Sequence, residues 1–184
     1  MTTSSLERHP IRRLFDCAKL IERYRIMTIE WKEDYCTNVD LIDDQHRQLF
    51  KFVNELDRIV KRGVSSGPEV DQLMMFLGSY TRVHFSYEES CMHRNKCSAA
   101  KANKSAHREF LKVYDEIIEE YRKSGGSLDS LIRLRDMMEK WLDEHICTID
   151  VTLRDCIHSP GKKKRLRFEL DSTKRFDQWS TEYS

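Results

Sequence analysis

Four histidines sit where helical periodicity would ordinarily place an apolar side chain, and two of them are followed by a carboxylate. His46, His84, His107 and His145 each fall in the apolar stripe of a separate segment, and Glu88 and Asp150 follow two of them closely in sequence. Imidazole and carboxylate groups are costly to bury without partners, so a core that collects six of them is most simply built around a metal centre. His84 and Glu88 are four residues apart, which puts both on one helix face about one turn from each other. His145 and Asp150 are five apart, and in a regular α-helix those directions differ by about 140°. A local widening of the helix near Cys147-Thr148, or two ions side by side, reconciles that spacing.

Two carboxylates, each with two oxygens to share between two ions, suit the second arrangement. A nitrogen-rich donor set with carboxylate bridges fits iron better than magnesium or calcium, which prefer shells made of oxygen. Zinc is satisfied by four donors where this core offers six, and manganese stays open. A single histidine in an apolar stripe is usually a hydrogen-bonded core residue. Four of them on four segments, two with acidic partners at ligand spacing, are hard to explain one at a time.

The elements that must position these groups follow from the period of the apolar residues. Ile42, His46, Leu49, Val53, Leu56 and Val60 mark a first helix over about 40–62. Gly63 to Pro68 ends it, with Pro68 suited to the first turn of the next helix. Val70, Leu73, Leu77, Tyr80, His84 and Tyr87 form the second stripe, which frays somewhere in the polar stretch 94–101. Asn103, His107, Phe110, Tyr114, Ile117 and Tyr121 mark a third helix over about 102–123. Ser124-Gly125-Gly126-Ser127 breaks it, and Ser127 or Asp129 can cap a fourth over about 128–156, with Leu131, Leu134, Met138, Leu142, His145, Ile149 and Leu153. Short loops favour antiparallel neighbours, so the fold class expected is all-α, an up-down-up-down four-helix bundle.

Residues 6–27 read as a further amphipathic helix, Trp31 to Thr37 as an irregular lead-in, and the chain beyond Pro160 as a basic and polar tail. The expected division is an N-terminal helical extension over 1–30, the bundle over 31–158, and the tail or linker over 159–184.

The strings Ile42-Asp43-Asp44-Gln45-His46, His84-Phe85-Ser86-Tyr87-Glu88-Glu89 and His145-Ile146-Cys147-Thr148-Ile149-Asp150 closely resemble the bacterial hemerythrins, in order as well as in separation. The resemblance covers roughly residues 30–156, and its variants include sensory domains at the front of bacterial signalling proteins. It implies a four-helix bundle around two non-haem iron ions bridged by an oxo or hydroxo group, with dioxygen as the exogenous ligand. Carried over residue by residue, His46 and His84 bind one iron, His107 and His145 the other, and Glu88 and Asp150 bridge both.

One departure stands out. The third helix of the family usually reads HxxxH, where this chain has Asn103-Lys104-Ser105-Ala106-His107. With two bridging carboxylates, a bridging oxygen and two histidines, each iron reaches five ligands, so both are open unless Asn103, water or another side chain fills the gap. His93 is the nearest alternative by sequence, although its direction does not follow the His84 face. A more open site should oxidise faster in air and shift the redox balance, which points to an oxygen or redox sensor. An oxygen storage or delivery protein is the first alternative, and a di-iron peroxidase or nitric oxide reductase the second. No separate acid–base pair is placed for catalysis, which ranks the enzyme third, and no output motif occurs, so a sensor would signal through a partner or a further domain. A metal-free bundle acting as an adaptor is the remaining reading.

Composition agrees with helices around a narrow core. Of 184 residues, 39% are hydrophobic and 34% charged, with only 6 Gly and 3 Pro. A net charge of +1 argues against a nucleic-acid or membrane-surface protein. No apolar run is long enough to span a bilayer, and the first residues lack the apolar region of a secretory signal. The six cysteines (17, 36, 91, 97, 147 and 156) contain no CxxC pair. They read as reduced thiols packed as small hydrophobes in a cytoplasmic protein, Cys147 between two site residues included. Met74, Met75, Met137 and Met138 read as packing. No P-loop, GxGxxG, HExxH or GxSxG occurs.

Overall fold

A computed structural model describes residues 29–157. The expected N-terminal helix over 6–27 and the whole of the tail lie outside the described residues. Four long helices form: α1 (Asp40–Lys61), α2 (Pro68–Arg94), α3 (Ala100–Lys123) and α4 (Leu128–Thr148), followed by a 3-10 turn at Asp150–Thr152 and a short α5 (Leu153–Ile157). The lead-in contains one 3-10 turn at Glu33–Tyr35. Each helix packs antiparallel to the next, and α4 closes the bundle against α1. No strand occurs among the described residues, and none of their helices is long and apolar enough to cross a membrane.

The helix ends explain why the chain reverses where it does. At the start of α1, buried Asp43 accepts hydrogen bonds from the backbone N–H and the hydroxyl of Thr37, both at 2.7 Å. This folds the lead-in onto the first turn, where acidic Asp40 and Asp43 also suit the helix dipole. Pro68 opens α2 and the Ser127 hydroxyl caps α4, as expected. The first three helices end in the same paired hydrogen bonds to the last turn. Val64 N–H bonds Ile59 O and Gly63 N–H bonds Val60 O after α1. Cys97 and Lys96 repeat the pattern after α2, as do Gly126 and Gly125 after α3. The motif needs a left-handed residue, which Gly63 and Gly125 supply freely and Lys96 adopts at φ 57°.

The interior has two parts. The larger cluster runs through the bundle with Leu49, Phe52, Leu56, Leu77, Ile117, Leu131 and Met138. The smaller closes one end with Ile42, Cys91, Met92, Cys97 and Leu153. Gly78 lets α3 approach α2, since a Cβ there would lie 2.7 Å from the Tyr114 hydroxyl. That hydroxyl donates to Met74 O at 2.6 Å.

Four expectations are corrected. The fourth helix does not run on to 156 and does not widen: it stops at Thr148, and a tighter 3-10 turn carries Asp150. Cys97 and Cys156 are not separate thiols but are joined as a disulfide, their Cα atoms 5.3 Å apart across 59 residues of sequence. Cys147 is exposed instead of filling space, because the helix face between His145 and Asp150 turns outward. Met75 is 67% exposed on the outer face of α2, whereas Met74 and Met138 are buried.

Candidate metal centre

The six donor residues arrive from all four helices and the turn after them. α1 brings His46, α2 brings His84 and Glu88, α3 brings His107, α4 brings His145, and the 3-10 turn brings Asp150. All six are buried, between the long core and the smaller apolar cluster that closes the end. The break after α4 is what delivers Asp150. The Ile149 N–H still bonds His145 O at 2.8 Å, and Thr152 N–H then bonds Ile149 O at 3.0 Å, which swings the aspartate back inward.

Two groups of donor atoms result, each drawn together within 4.8 Å: Glu88, His107, His145 and Asp150 in one, and His46, His84 and Glu88 in the other. The carboxylates lie between histidine pairs. Asp150 Oδ1 is 3.1 Å from His145 Nε2 and its Oδ2 is 3.5 Å from His46 Nε2. Glu88 Oε2 is 3.4 Å from His107 Nε2 and 3.9 Å from His84 Nε2. Asn103 is also fully buried here, its Oδ1 2.8 Å from His145 Nε2 and its Nδ2 3.5 Å from Glu88 Oε2. His93, the alternative by sequence, is exposed and outside both groups.

Several donor atoms have no hydrogen-bond partner. They are both nitrogens of His46, His107 Nε2, Glu88 Oε1 and both oxygens of Asp150. Buried polar atoms are normally satisfied, and a cation among these lone pairs would satisfy all of them except the outward His46 nitrogen. Electrostatics agree. Burial holds the His84 imidazole down to about 3, His107 to about 2 and His145 to about 4, and His46 well below its ordinary value. Burial raises Asp150 to about 8, and burial with the neighbouring Asp150 charge raises Glu88 well above the usual carboxylate range. Neutral imidazoles are ready to donate lone pairs, and the carboxyl groups hold protons that a cation would displace.

The hemerythrin HHE cation-binding domain family matches residues 37–154, the stretch that contains every one of these groups. The chain belongs to this family. Over 119 residues it is 29% identical to a bacteriohemerythrin of Stenotrophomonas maltophilia, covering 63% of this chain and 72% of the relative. A bacteriohemerythrin of Pseudomonas aeruginosa strain LESB58 is 26% identical over 131 residues, covering 69% and 80%. The myohemerythrin of Sipunculus nudus is 32% identical over 120 residues, covering 65% and 86%. The protein is thus a hemerythrin-type cation-binding bundle with buried histidine and carboxylate clusters.

Four supporting residues of this hemerythrin domain escaped sequence reasoning. Gln45 Oε1 lies 3.0 Å from His84 Nδ1, and Glu89 Oε1 lies 3.2 Å from His107 Nδ1. A proton held on each Nδ1 turns the Nε2 lone pair inward. Phe85 stacks on the His107 ring at 3.7 Å and Trp141 on the His145 ring at 4.0 Å, which fixes both planes and excludes water. Gln45, Phe85 and Glu89 sit beside the histidines and Glu88 within the quoted strings, a signal that was available. Trp141 is four residues before His145, one turn away on the same face.

Proposed function

We propose that this hemerythrin domain holds two non-haem iron ions and reports oxygen or redox state through them. His46 and His84 serve one iron and His107 and His145 the other, with Glu88 and Asp150 shared. The observation that carries the reading is the set of unpartnered Nε2 and carboxylate oxygen atoms converging in the buried interior. Six nitrogen and oxygen donors, shared in this way, suit iron better than a four-donor zinc site. Iron, when bound, supplies reversible electron transfer and a coordination position open to dioxygen.

The chain's own residues set the conditions around it. Gln45 and Glu89 hold the His84 and His107 tautomers, while Phe85 and Trp141 wall the site against water. Asn103 supports the sensor reading over storage. Its carboxamide stands between His145 and Glu88, where the family usually has a further imidazole, so it offers a weaker donor or only a hydrogen bond. A site short of one strong ligand should lose electrons sooner.

The test is iron content with the optical spectrum of the protein, first reduced and then exposed to air. The expected result is about two irons per chain and a rapid change to the oxidised spectrum. A long-lived oxygen-dependent band supports storage or delivery instead. Absence of bound iron after anaerobic loading sinks the reading, and His84→Ala should lower iron content.

A further inference from the structure

The cap over the metal centre contains a feature that ligand geometry does not require. Cys97 lies in the connection between α2 and α3, and Cys156 in α5, beyond the turn that bears Asp150. Their bridge spans α3, α4 and that turn. It packs with Ile42, Cys91, Met92 and Leu153, and Tyr87 and Ile149 lie against the same cluster. Tyr87 and Ile149 immediately precede Glu88 and Asp150, so the cluster rests on the backbone that presents both carboxylates.

Asp150 depends on that support. Its oxygens meet His145 Nε2 at 3.1 Å and His46 Nε2 at 3.5 Å, and the backbone of its turn decides whether the carboxylate stands within their reach. The end of α4 holds the turn on one side and α5 holds it on the other. α5 is anchored by buried Leu153, by Arg154 bonded to the backbone oxygens of Cys36 and, at 2.7 Å, Asp34, and by the bridge. Opening the bridge therefore loosens the turn without freeing it. Cys97 is buried and Cys156 is half-buried, so exchange from solvent begins at Cys156.

We propose that Cys97 and Cys156 form a thiol–disulfide switch that sets how firmly the bundle holds its metal, by clasping the Asp150 turn to the α2–α3 connection. The oxidant is a low-molecular-weight disulfide. The Cys156 thiolate attacks it, forming a mixed disulfide and releasing one small thiol. The Cys97 thiolate then attacks the Cys156 sulfur, forming the protein bridge and releasing the second small thiol. Two protein thiols are oxidised and one small disulfide is reduced to two thiols. A small thiol in excess runs the exchange backwards.

The inference rests on the metal-centre reading, and the experiment separates the two. The full chain is equilibrated in glutathione buffers of graded redox composition, and the Cys97–Cys156 peptide is quantified by alkylation and mass spectrometry. Each form is then loaded anaerobically with ferrous iron and challenged with a chromophoric ferrous chelator. Release from the reduced chain should be on the order of tenfold faster, and Cys156→Ser should release at the reduced rate in every buffer. Equal release from bridged and reduced wild-type protein overturns the switch, as does failure to form the bridged peptide in glutathione disulfide. If neither form takes up iron, the centre itself fails. Hydrogen exchange at Ile149–Leu153 then decides the clasp: greater protection in the bridged chain supports it, and equal protection overturns it.

Discussion

In the proposed reading, Asn103 is the residue that sets this centre apart. It is fully buried, and its amide meets His145 on one side and Glu88 on the other. A carboxamide is a weaker donor than an imidazole, and it is polar enough to need the partners it has. Asn103→His places a ring nitrogen back at the third helix. The expected outcome is slower oxidation in air and a longer-lived oxygenated spectrum, followed by stopped-flow absorbance. Unchanged kinetics would mean that residue 103 does not face the iron. Three of the histidines, His84, His107 and His145, are each set by a neighbour outside the donor set. Gln45→Leu, for example, removes the acceptor at His84 Nδ1 and should weaken iron retention by roughly 10–100-fold, measured by competition with a chelator.

The helices are held in register by a few close contacts along the apolar stripes. At Gly78, α2 and α3 approach closely enough that a methyl group would meet the Tyr114 ring, itself tied to Met74 O. Gly78→Ala gains up to about 1 kcal/mol of helix propensity. It must also displace a rigid, hydrogen-bonded ring, at about 1–3 kcal/mol. The second effect should prevail, giving net destabilisation in urea unfolding. Lys96 presents the opposite case. It holds a left-handed conformation at the end of α2 that glycine holds after α1 and α3. Lys96→Gly should stabilise the protein by a few tenths to about 1 kcal/mol in the same assay.

At the scale of the whole molecule, the buried cluster links stability to pH. In metal-stripped protein the four imidazoles resist protonation until far below their unfolded value near 6.5. The stability they contribute is present above about pH 6.5 and is lost as pH falls through their folded values. The carboxyl groups act in the reverse sense. Asp150, raised to about 8, and Glu88, raised in the same direction, contribute stability that is full below the unfolded value near 4. That contribution is lost as pH rises through the folded values. Four imidazoles outweigh two carboxyls on the acid side, so the highest Tm of stripped protein should fall at about pH 6.5. Loading iron should remove the alkaline decline, because the carboxylates are then ionised in the folded state too, and should add roughly 2.7 kcal/mol at a free concentration 100 times Kd. Calorimetry across pH 4–9 with and without iron checks both.

Periodicity is a short-range property, and it made most of this bundle legible. Apolar residues every three or four positions marked four helices, glycine and proline marked their ends, and four histidines out of place in those stripes, two with a carboxylate following, marked the centre. What only the tertiary structure decided involves groups far apart in sequence, or a local break with no signal of its own. The turn that brings in Asp150 interrupts a stripe whose apolar pattern continues through Leu153. Arg135 is buried because Asp57 of α1 meets it 3.2 Å away across the bundle. Cys97 and Cys156 pair because the chain closes on itself over the site. Each depends on where one helix lies against another, a relation that is fixed only once the whole core has packed.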